Sequence, residues 1–250
     1  MSTPEITTLA RTYLSDSPVP ALALTIGAYL FARWLHARCR NHPFANPVAI
    51  AVMMLIVVLK LTHVDYRVYF AQAQFIHFLL GPAIVALAVP LYRQIHKLRR
   101  ACFPLLCGLL AGSSVAVLSA VAIALLFHCQ ATTVVSLAPK SVTAAISMLI
   151  SVRAGGIPSL TAAIVIVTGI TGAVISTLML GLVGVRRDDA RGFAIGVASH
   201  GIGTARAFQI SEEAGAFAGL GMAMNGIVSA VVLPFVLPAL IAMLGRLINE

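Results

Sequence analysis

The sequence predicts an all-α integral membrane protein, and three observations support this class. Of the 250 residues, 60% are hydrophobic and only 10% are charged, whereas a soluble domain carries about 25% charged residues. Several apolar segments approach the roughly 20 residues that an α-helix needs to cross a bilayer. Short basic clusters separate these segments, so the net charge of +9 indicates helix orientation rather than nucleic-acid binding.

The chain is predicted to have a polar N-terminal extension, residues 1–18, followed by one polytopic membrane domain, residues 19–250. The extension lacks the basic start and apolar run of a secretory signal peptide. The four cysteines have neither metal-ligand nor redox spacing, so no metal or other cofactor is expected. They are Cys39, Cys102, Cys107 and Cys129.

Seven segments are predicted to cross the membrane. They are residues 19–35, 44–61, 75–92, 103–127, 157–184, 191–208 and 214–244. Asn46 is expected to cap the helix that Pro47 starts. Gly81, Pro82 and Pro90 predict an interrupted helix in the third segment.

Charge bias predicts the orientation and one re-entrant hairpin. The basic groups assigned to the cytoplasm lie at residues 33–42, 93–100 and 186–191 and at Arg246. With these inside, residues 131–156 cannot cross, because the following span would then end outside. Pro139-Lys140-Ser141 divides this stretch into two short arms, so we expect a re-entrant hairpin with these residues at its tip. The scheme places Arg153 outside.

The same scheme suggests an inverted repeat of transporter type, with halves 44–127 and 157–244. A proline opens the first span of each half, Pro47 and Pro158. The middle span of each half is interrupted. Corresponding interrupted segments in two oppositely oriented halves are typical of secondary transporters.

Residues 191–209, RGFAIGVASHGIGTARAFQ, combine many polar side chains with residues that weaken helices. A lipid-facing helix would not carry such a group. We therefore expect a broken helix whose polar groups face a cavity lined by protein. The glycines are Gly192, Gly196, Gly201 and Gly203.

Ten residues are predicted to bind the substrate. They are Lys140, Ser141, Thr143, Ser199, His200, Gly201, Gly203, Thr204, Arg206 and Asn225. Lys140 either snorkels to an interface or faces the interior at a helix break, and an intramembrane cation favours function. His200 is either a ligand contact or a core imidazole bonded to a carbonyl. The Arg206 guanidinium suits a carboxylate, or is an end-of-helix charge near Glu212.

The hydroxyl groups of this set are either donors to the substrate or helix-packing contacts, and Asn225 needs a buried partner. None of the eight carboxylates lies well inside an apolar span, so the interior polar groups favour an anionic solute. Any proton coupling would use His200. Ser199 and His200 are adjacent and their side chains diverge, so a nucleophile–base pair, and hence an enzyme, is not expected.

Five motifs resemble the LrgB/CidB family of bacterial membrane proteins. They are NPVAIA (46–51), GPAIVALAVPLY (81–92), LAPKSVTAAI (137–146), AGGIPSLTA (154–162) and ASHGIGTARAF (198–208). The chain is also similar to the C-terminal half of the plant plastidic glycolate/glycerate translocator. The resemblance implies a multi-pass protein of the bacterial cytoplasmic (inner) membrane. It also implies a separate small LrgA/CidA-like membrane subunit as partner.

Two functions follow from this resemblance. The first is transport of small monocarboxylates such as glycolate, glycerate or pyruvate, which the interior Lys-His-Arg set favours. The second is holin- or antiholin-like regulation of murein hydrolase release and cell lysis, which would depend on small-residue patches such as Gly108/Gly112 and Gly215/Gly219. Such patches are compatible with a homodimer and equally with internal packing.

Overall fold

The computed structural model describes residues 17–39 and 45–249, and every regular element within them is an α-helix. The predicted all-α class is therefore confirmed. Apart from Ser17 and Pro18, the predicted polar extension lies outside the described residues, as do Arg40 and His42 of the first basic cluster. The chain divides into two compact units, Met1–Ala86 and Leu87–Glu250.

The described part of the first unit consists of five helices. They are α1 (Pro18–Arg38), α2 (Pro47–Thr62), α3 (Tyr66–Gln72), α4 (Gln74–Phe78) and α5 (Leu80–Ala86). The side chain of Asn46 caps α2, because its oxygen accepts hydrogen bonds from the amides of Val48 (2.9 Å) and Ala49 (3.1 Å). This confirms the predicted cap. The axes of α2 and α3 are bent by 119°, at a turn where His63 adopts a left-handed conformation with φ 53°.

The second unit carries the predicted site. Its described helices are α6 (Ala88–Arg93), α7 (Ile95–Leu126), α8 (Ala131–Leu137), α9 (Ala144–Arg153), α10 (Pro158–Leu182), α11 (Asp188–Phe208) and α12 (Glu212–Asn249).

The predicted interruption of the third segment is confirmed, and proline chemistry explains it. Residues 74–93 form the three short helices α4, α5 and α6. A proline clashes with the carbonyl of the fourth residue before it and lacks an N–H. The fourth residue before Pro82 is Phe78, where α4 ends, and the fourth before Pro90 is Ala86, where α5 ends.

The helices of the second unit have two distinguishable ends. At one, here called the basic end, salt bridges join Arg93 to Glu212 (2.9 Å) and Lys97 to Glu213 (2.7 Å). The starts of α7 and α12 therefore lie together. The other end is here called the far end. There a buried apolar cluster joins the last part of α7, the residues around α8, and α12. Its members are Val121, Ala124, Val134, Val135, Ala138 and Leu237.

Hairpin A consists of α8 and α9, and it has the predicted re-entrant form. Residues 138–143 between the two arms are not helical. The arms have 7 and 10 residues, about 10 and 15 Å at a rise of 1.5 Å per residue, so neither spans a hydrocarbon core of about 30 Å. The hydroxyl of Ser147 donates to the Pro139 carbonyl (2.7 Å), and that of Ser136 accepts from the Ile157 amide (2.8 Å). The first bond joins α9 to the tip, and the second joins α8 to the residue before α10.

Hairpin B is α11, and its chain reverses direction at Ser199 (φ −130°, ψ 15°) and His200 (φ 42°, ψ −135°). Its arms are residues 188–198 and 201–208. Ile195 and Ala207, one on each arm, belong to one buried cluster, whereas twelve residues along a straight helix would separate them by about 18 Å. A Cβ added at Gly203 would lie 3.0 Å from the Ile195 carbonyl oxygen.

The predicted crossing by residues 191–208 is therefore wrong. The first arm of hairpin B packs beside α12 in the same direction, since Gly192 lies against Ala214 and Gly196 lies against Ala218. The second arm returns to the basic end, where Phe208 packs against Gly215. This helix is a second re-entrant hairpin, and it breaks at Ser199-His200 while Gly201 and Gly203 remain helical.

Two consequences follow for the predicted topology. Helix α12 begins at the basic end and packs at the far end through Leu237, so Arg246 belongs to the far end rather than to the side of the other basic clusters. Five stretches among the described residues are long and apolar enough to cross a membrane, and the bent α2–α3 pair would make a sixth. They are α1, residues 74–93, α7, α10 and α12.

Hairpins A and B enter the second unit from opposite ends. Hairpin A precedes α10, which starts at the far end, and hairpin B precedes α12, which starts at the basic end. The order of a hairpin and a full helix thus occurs twice with opposite direction. The predicted halves 44–127 and 157–244 remain a prediction.

The reversal at hairpin B predicts the accessibility of the loop that precedes α12. In a protein whose four native cysteines are replaced, Ser211→Cys and Arg186→Cys should react with a membrane-impermeant thiol reagent from the same side. Arg153→Cys should react from the opposite side, because hairpin A enters from the far end. Labelling of intact cells and of inside-out vesicles measures the side of each thiol. If Ser211→Cys reacted from the same side as Arg153→Cys, residues 191–208 would cross the membrane after all.

Candidate functional site

The tips of hairpins A and B meet at Asn225, a buried residue on α12. Its side-chain nitrogen donates to the carbonyl oxygens of Ser141 (3.2 Å), in the tip of hairpin A, and Val197 (3.0 Å), beside the tip of hairpin B. Its side-chain oxygen accepts from the hydroxyls of Ser113 (2.5 Å) and Ser229 (3.3 Å). Every donor and acceptor that an amide side chain offers is therefore used.

The Asn225 bonds satisfy backbone groups that the helix breaks leave free. In an unbroken helix, the Val197 carbonyl would accept from the amide of residue 201, but the reversal at Ser199-His200 removes this bond. An unpaired carbonyl in an apolar interior costs about 1–3 kcal/mol. Asn225 is only 2% exposed, so it serves as a bridge between the two tips.

His200 is anchored rather than free in the tip of hairpin B. Its Nε2 lies 3.0 Å from the Val165 carbonyl oxygen on α10, and a carbonyl only accepts, so Nε2 carries the proton. The Thr204 hydroxyl donates to the His200 carbonyl (2.8 Å) and closes the first turn of the second arm. The positive φ of His200 is uncommon for a residue other than glycine. The arrangement matches the core-imidazole alternative raised by the sequence.

Two glycines of α10 make room for this tip. A Cβ at Gly169 would lie 2.7 Å from Cε1 of His200, and one at Gly172 would collide with the Ser199 hydroxyl. Ser199 itself is 1% exposed. Close approach of the α10 backbone therefore fixes the position of the Ser199-His200 turn.

Lys140 lies in the tip of hairpin A and is half-buried. Its ammonium nitrogen is 3.4 Å from the hydroxyl of the buried Ser141. The salt bridges found among residues 17–39 and 45–249 do not include Lys140. Thr143 precedes α9 as its N-cap residue, and its side chain makes no capping bond. The tip therefore presents a cation and hydroxyl groups beside the start of a helix.

Both second arms begin at the tips. Helix α9 starts at Ala144, and the second arm of hairpin B starts at Gly201. Gly201 is exposed, and a Cβ added there would lie 3.8 Å from the Met222 sulfur. The first four amides of a helix lack partners within it, and its N-terminus carries a partial positive charge. Two such ends and Lys140 thus share one region, which suits a small anion.

Arg206 is not brought together with the tips. It lies on the last turn of the second arm of hairpin B, where its Nη1 donates to the Gln209 side chain (2.8 Å). Its Nε is buried without a hydrogen-bond partner. The predicted carboxylate contact would therefore occur near the basic end, away from Lys140.

An ion pair between the exposed Arg187 and the buried Asp189 marks the start of hairpin B at the basic end. The Asp189 carboxylate accepts two hydrogen bonds from Arg187, from Nε (3.1 Å) and Nη2 (2.5 Å). These bonds are the main reason that the pKa of Asp189 is lowered from its usual value. The carboxylate stays ionised at neutral pH and neutralises Arg187.

Several residues of this region were not predicted from the sequence. Ser113, Ser229, Gly169 and Gly172 support the tips, and four buried hydroxyls support hairpin A. The hydroxyl residues are Ser136, Ser147, Ser151 and Thr161, each 0% exposed. The spacing TGITG on an apolar helix is a usable signal for Gly169 and Gly172, because small residues permit close backbone approach. Within the described residues, no group of three or more potential metal-ligating His, Cys, Asp or Glu side chains occurs.

Asn225→Ala is expected to lower stability by about 1–3 kcal/mol, because it leaves the Ser141 and Val197 carbonyls unpaired. Thermal unfolding in detergent measures the loss. Ser119→Ala is the matched control, since its hydroxyl is exposed and bonds to the Ala116 carbonyl of its own helix. Equal melting temperatures for the two variants would contradict the bridging role.

Gly172→Ala should destabilise the protein by about 1–3 kcal/mol, as expected for overpacking, and Ser199→Gly in the same chain should recover most of the loss. A double-mutant cycle measures this coupling. Gly181→Ala on the same helix is the control, because nothing lies within 4 Å of its added Cβ. Independent effects of the two substitutions would show that the turn does not pack there.

Comparisons with known proteins agree with one another. The sequence pattern described as the LrgB-like family matches residues 25–239. The chain is 33% identical to protein YxaC of Bacillus subtilis over 86% of this chain and 93% of that protein. It is 31% identical to Holin-like protein CidB of Staphylococcus epidermidis, covering 85% of this chain and 93% of the relative. An uncharacterized Haemophilus influenzae protein is 34% identical over 85% of this chain and 92% of its own length. No solved structure matches.

Proposed function

This chain belongs to the LrgB-like family, and we propose that it carries small monocarboxylate anions across the membrane. The substrate binds where the tips of hairpins A and B meet. The observation that carries this proposal is the convergence, at the buried Asn225, of two broken segments that enter from opposite ends. Discontinuous helices that meet inside the bilayer are the usual substrate sites of secondary transporters.

The groups at the tips indicate that the substrate is negatively charged. The helix starts at Ala144 and Gly201 contribute free amides, and Lys140 contributes a cation. The five carboxylates of the described residues all lie at helix starts or in turns, at Asp65, Asp188, Asp189, Glu212 and Glu213. An uncompensated cation in a membrane interior is costly, and a bound carboxylate offsets that cost through charge-assisted hydrogen bonds.

The size of the substrate class follows from packing. Ser141, Ser199, Thr204 and Asn225 are buried around the meeting point, and this close packing favours a small solute over a large one. Glycolate, glycerate and pyruvate, the substrates implied by the family resemblance, have this size and charge. We assign Lys140 and the amides near Gly201 to binding, and we assign Asn225, Thr204 and His200 to holding the tips in place.

Membrane location and partnership are proposed on the same basis. The chain is a multi-pass membrane protein, and its relatives are bacterial. We place it in the bacterial cytoplasmic membrane with an LrgA/CidA-like subunit, and we place the basic end inside according to the charge bias. A homodimer remains a prediction, and the chain is not proposed to be an enzyme.

The second candidate function is holin- or antiholin-like control of murein hydrolase release. It is favoured by the relatives named Holin-like protein CidB. An added Cβ at Gly108 would meet Phe193 and one at Gly112 would meet Val197, so these two glycines face hairpin B rather than a partner. Gly215 and Gly219 do not support it, since both are buried against side chains of the second unit. This role requires a partner surface and does not require Lys140.

Uptake of labelled glycolate, glycerate and pyruvate into proteoliposomes, with and without the partner subunit, tests the proposal. Lys140→Ala should reduce uptake about tenfold or more, because hydrogen bonds to a charged group contribute about 1.5–3 kcal/mol. Lys60→Ala is the matched control, since Lys60 is an exposed lysine near the end of α2. Both variants should reach the membrane in wild-type amounts.

Two outcomes would contradict the proposal, the first against transport and the second against the assigned role of Lys140. One is the absence of uptake of all three anions under a pH gradient and under a substrate gradient. The other is wild-type uptake by Lys140→Ala, which would remove this residue from the site. Lysis control that survives Lys140→Ala, in a protein that takes up none of the three anions, would favour the holin-like role.

A further inference from the structure

A groove runs along the second unit from the basic end towards the tips. It lies between α7 and the first arm of hairpin B and has a volume of about 1090 Å³. Its mouth is lined by Lys97, Arg100, Arg187, Asp188, Asp189 and Glu213. Along α7 it extends from Lys97 to Ala116, about 28 Å at 1.5 Å per residue.

Small side chains keep this groove open on both walls. On α7 the wall includes Gly108, Gly112 and Ala116, and on hairpin B it includes Ala190, Ala194 and Ala198, spaced by four residues. Larger side chains at these positions would fill the space between the helices. Leu105, Phe193 and Val197 also line the groove, so the small residues decide how much space is left beside them.

The deep end of the groove adjoins the site. Val197 and Ala198, the last residues before the Ser199-His200 turn, line it. The carbonyl of Val197 is the group that Asn225 holds, and Gly112 precedes Ser113, whose hydroxyl donates to Asn225. A solute beside Ala198 would therefore lie next to the Ser199-His200 turn, since these residues are consecutive in the chain.

The opposite side of the tips is packed with apolar side chains. There the far-end cluster packs α7, hairpin A and α12 together, with Val121, Val134 and Leu237 each 0% exposed and Ala138 1% exposed. An apolar plug of this kind excludes water and charge. The two sides of the meeting point therefore differ, with a groove on one and a packed core on the other.

Among the described residues, the salt bridges at the mouth leave one cation and one carboxylate unpaired. Lys97 pairs with Glu213 (2.7 Å) and Arg187 pairs with Asp189. Asp188 lies in the first turn of hairpin B, where a carboxylate is stabilised by the helix dipole. Within the described part of the chain, Arg100 is the lining cation without a salt bridge.

We propose that this groove is the water-filled path by which the anion moves between the basic end and the meeting point of the tips. The structure is thus the conformation open at the basic end and closed at the far end. This inference rests on the proposed transport function and adds the route, its direction and the cation that attracts the solute at the mouth.

Cysteine accessibility tests the route independently of uptake. In the protein without its four native cysteines, Gly112→Cys and Ala198→Cys place thiols deep in the groove, and Leu110→Cys places one on the outer face of α7, where Leu110 is 58% exposed. An added Cβ at Gly112 would lie 3.5 Å from Val197, an ordinary contact, so this variant should fold. The reagent is the anionic, membrane-impermeant sulfonatoethyl methanethiosulfonate.

We expect Gly112→Cys and Ala198→Cys to react from the basic end at least about tenfold faster than Leu110→Cys, because the reactive thiolate forms only where water reaches it. Inside-out vesicles should show this reaction and intact cells should not, if the basic end is cytoplasmic. Saturating glycolate should slow it. Arg100→Gln should lower the reaction rate with this anionic reagent several-fold at low salt and by less at high salt.

Three results would overturn the proposal. Equal, slow labelling of all three thiols would mean that lipid or another helix fills the groove. Labelling from the far end would reverse the direction, and a rate that glycolate does not change would separate the groove from the site. Uptake without groove labelling would contradict the route alone, whereas groove labelling without uptake of any anion would contradict the proposed function.

Discussion

The second unit depends on the hydrogen bonds of one buried amide. Breaking a helix inside a membrane frees backbone carbonyls that water cannot reach there, and each unpaired group is costly. Asn225 satisfies one such carbonyl from each broken segment, at Ser141 and Val197, while Ser113 and Ser229 satisfy its oxygen. The same side chain therefore pairs the free groups and holds the two tips against each other.

Pairing the tips also determines the electrostatics between them. Because each second arm starts at its tip, the positive ends of α9 and of residues 201–208 lie in the same region as Lys140. Asn225 adds no charge, so the region stays cationic. The surrounding structure is asymmetric, with a groove leading to the basic end and a packed apolar cluster at the far end. A site that can be reached from one side at a time is what a carrier requires.

Local chemistry explains which parts of the fold could be predicted from the sequence. Proline acts on the carbonyl four residues before it, so the divisions at Pro82 and Pro90 were predictable. The Asn46 cap needs only its neighbours in the chain. Hairpin B was predicted to be broken but also to cross, because its 21 residues equal the length of a span. Length and charge bias do not distinguish a full crossing from a helix that reverses at mid-depth.

The sequence by itself determined the membrane class, the positions of the two breaks and the cationic character of the candidate residues, because each follows from composition or from neighbouring residues. Only the tertiary structure decided that Ser199-His200 reverses the chain, that Asn225 bridges the two tips, and that Arg206 lies apart from Lys140. Each of these depends on residues far along the chain, such as Gly172 beside Ser199 and Val165 beside His200. A polar side chain in a membrane takes whichever partner packing brings within hydrogen-bond distance, and residue type alone does not identify that partner.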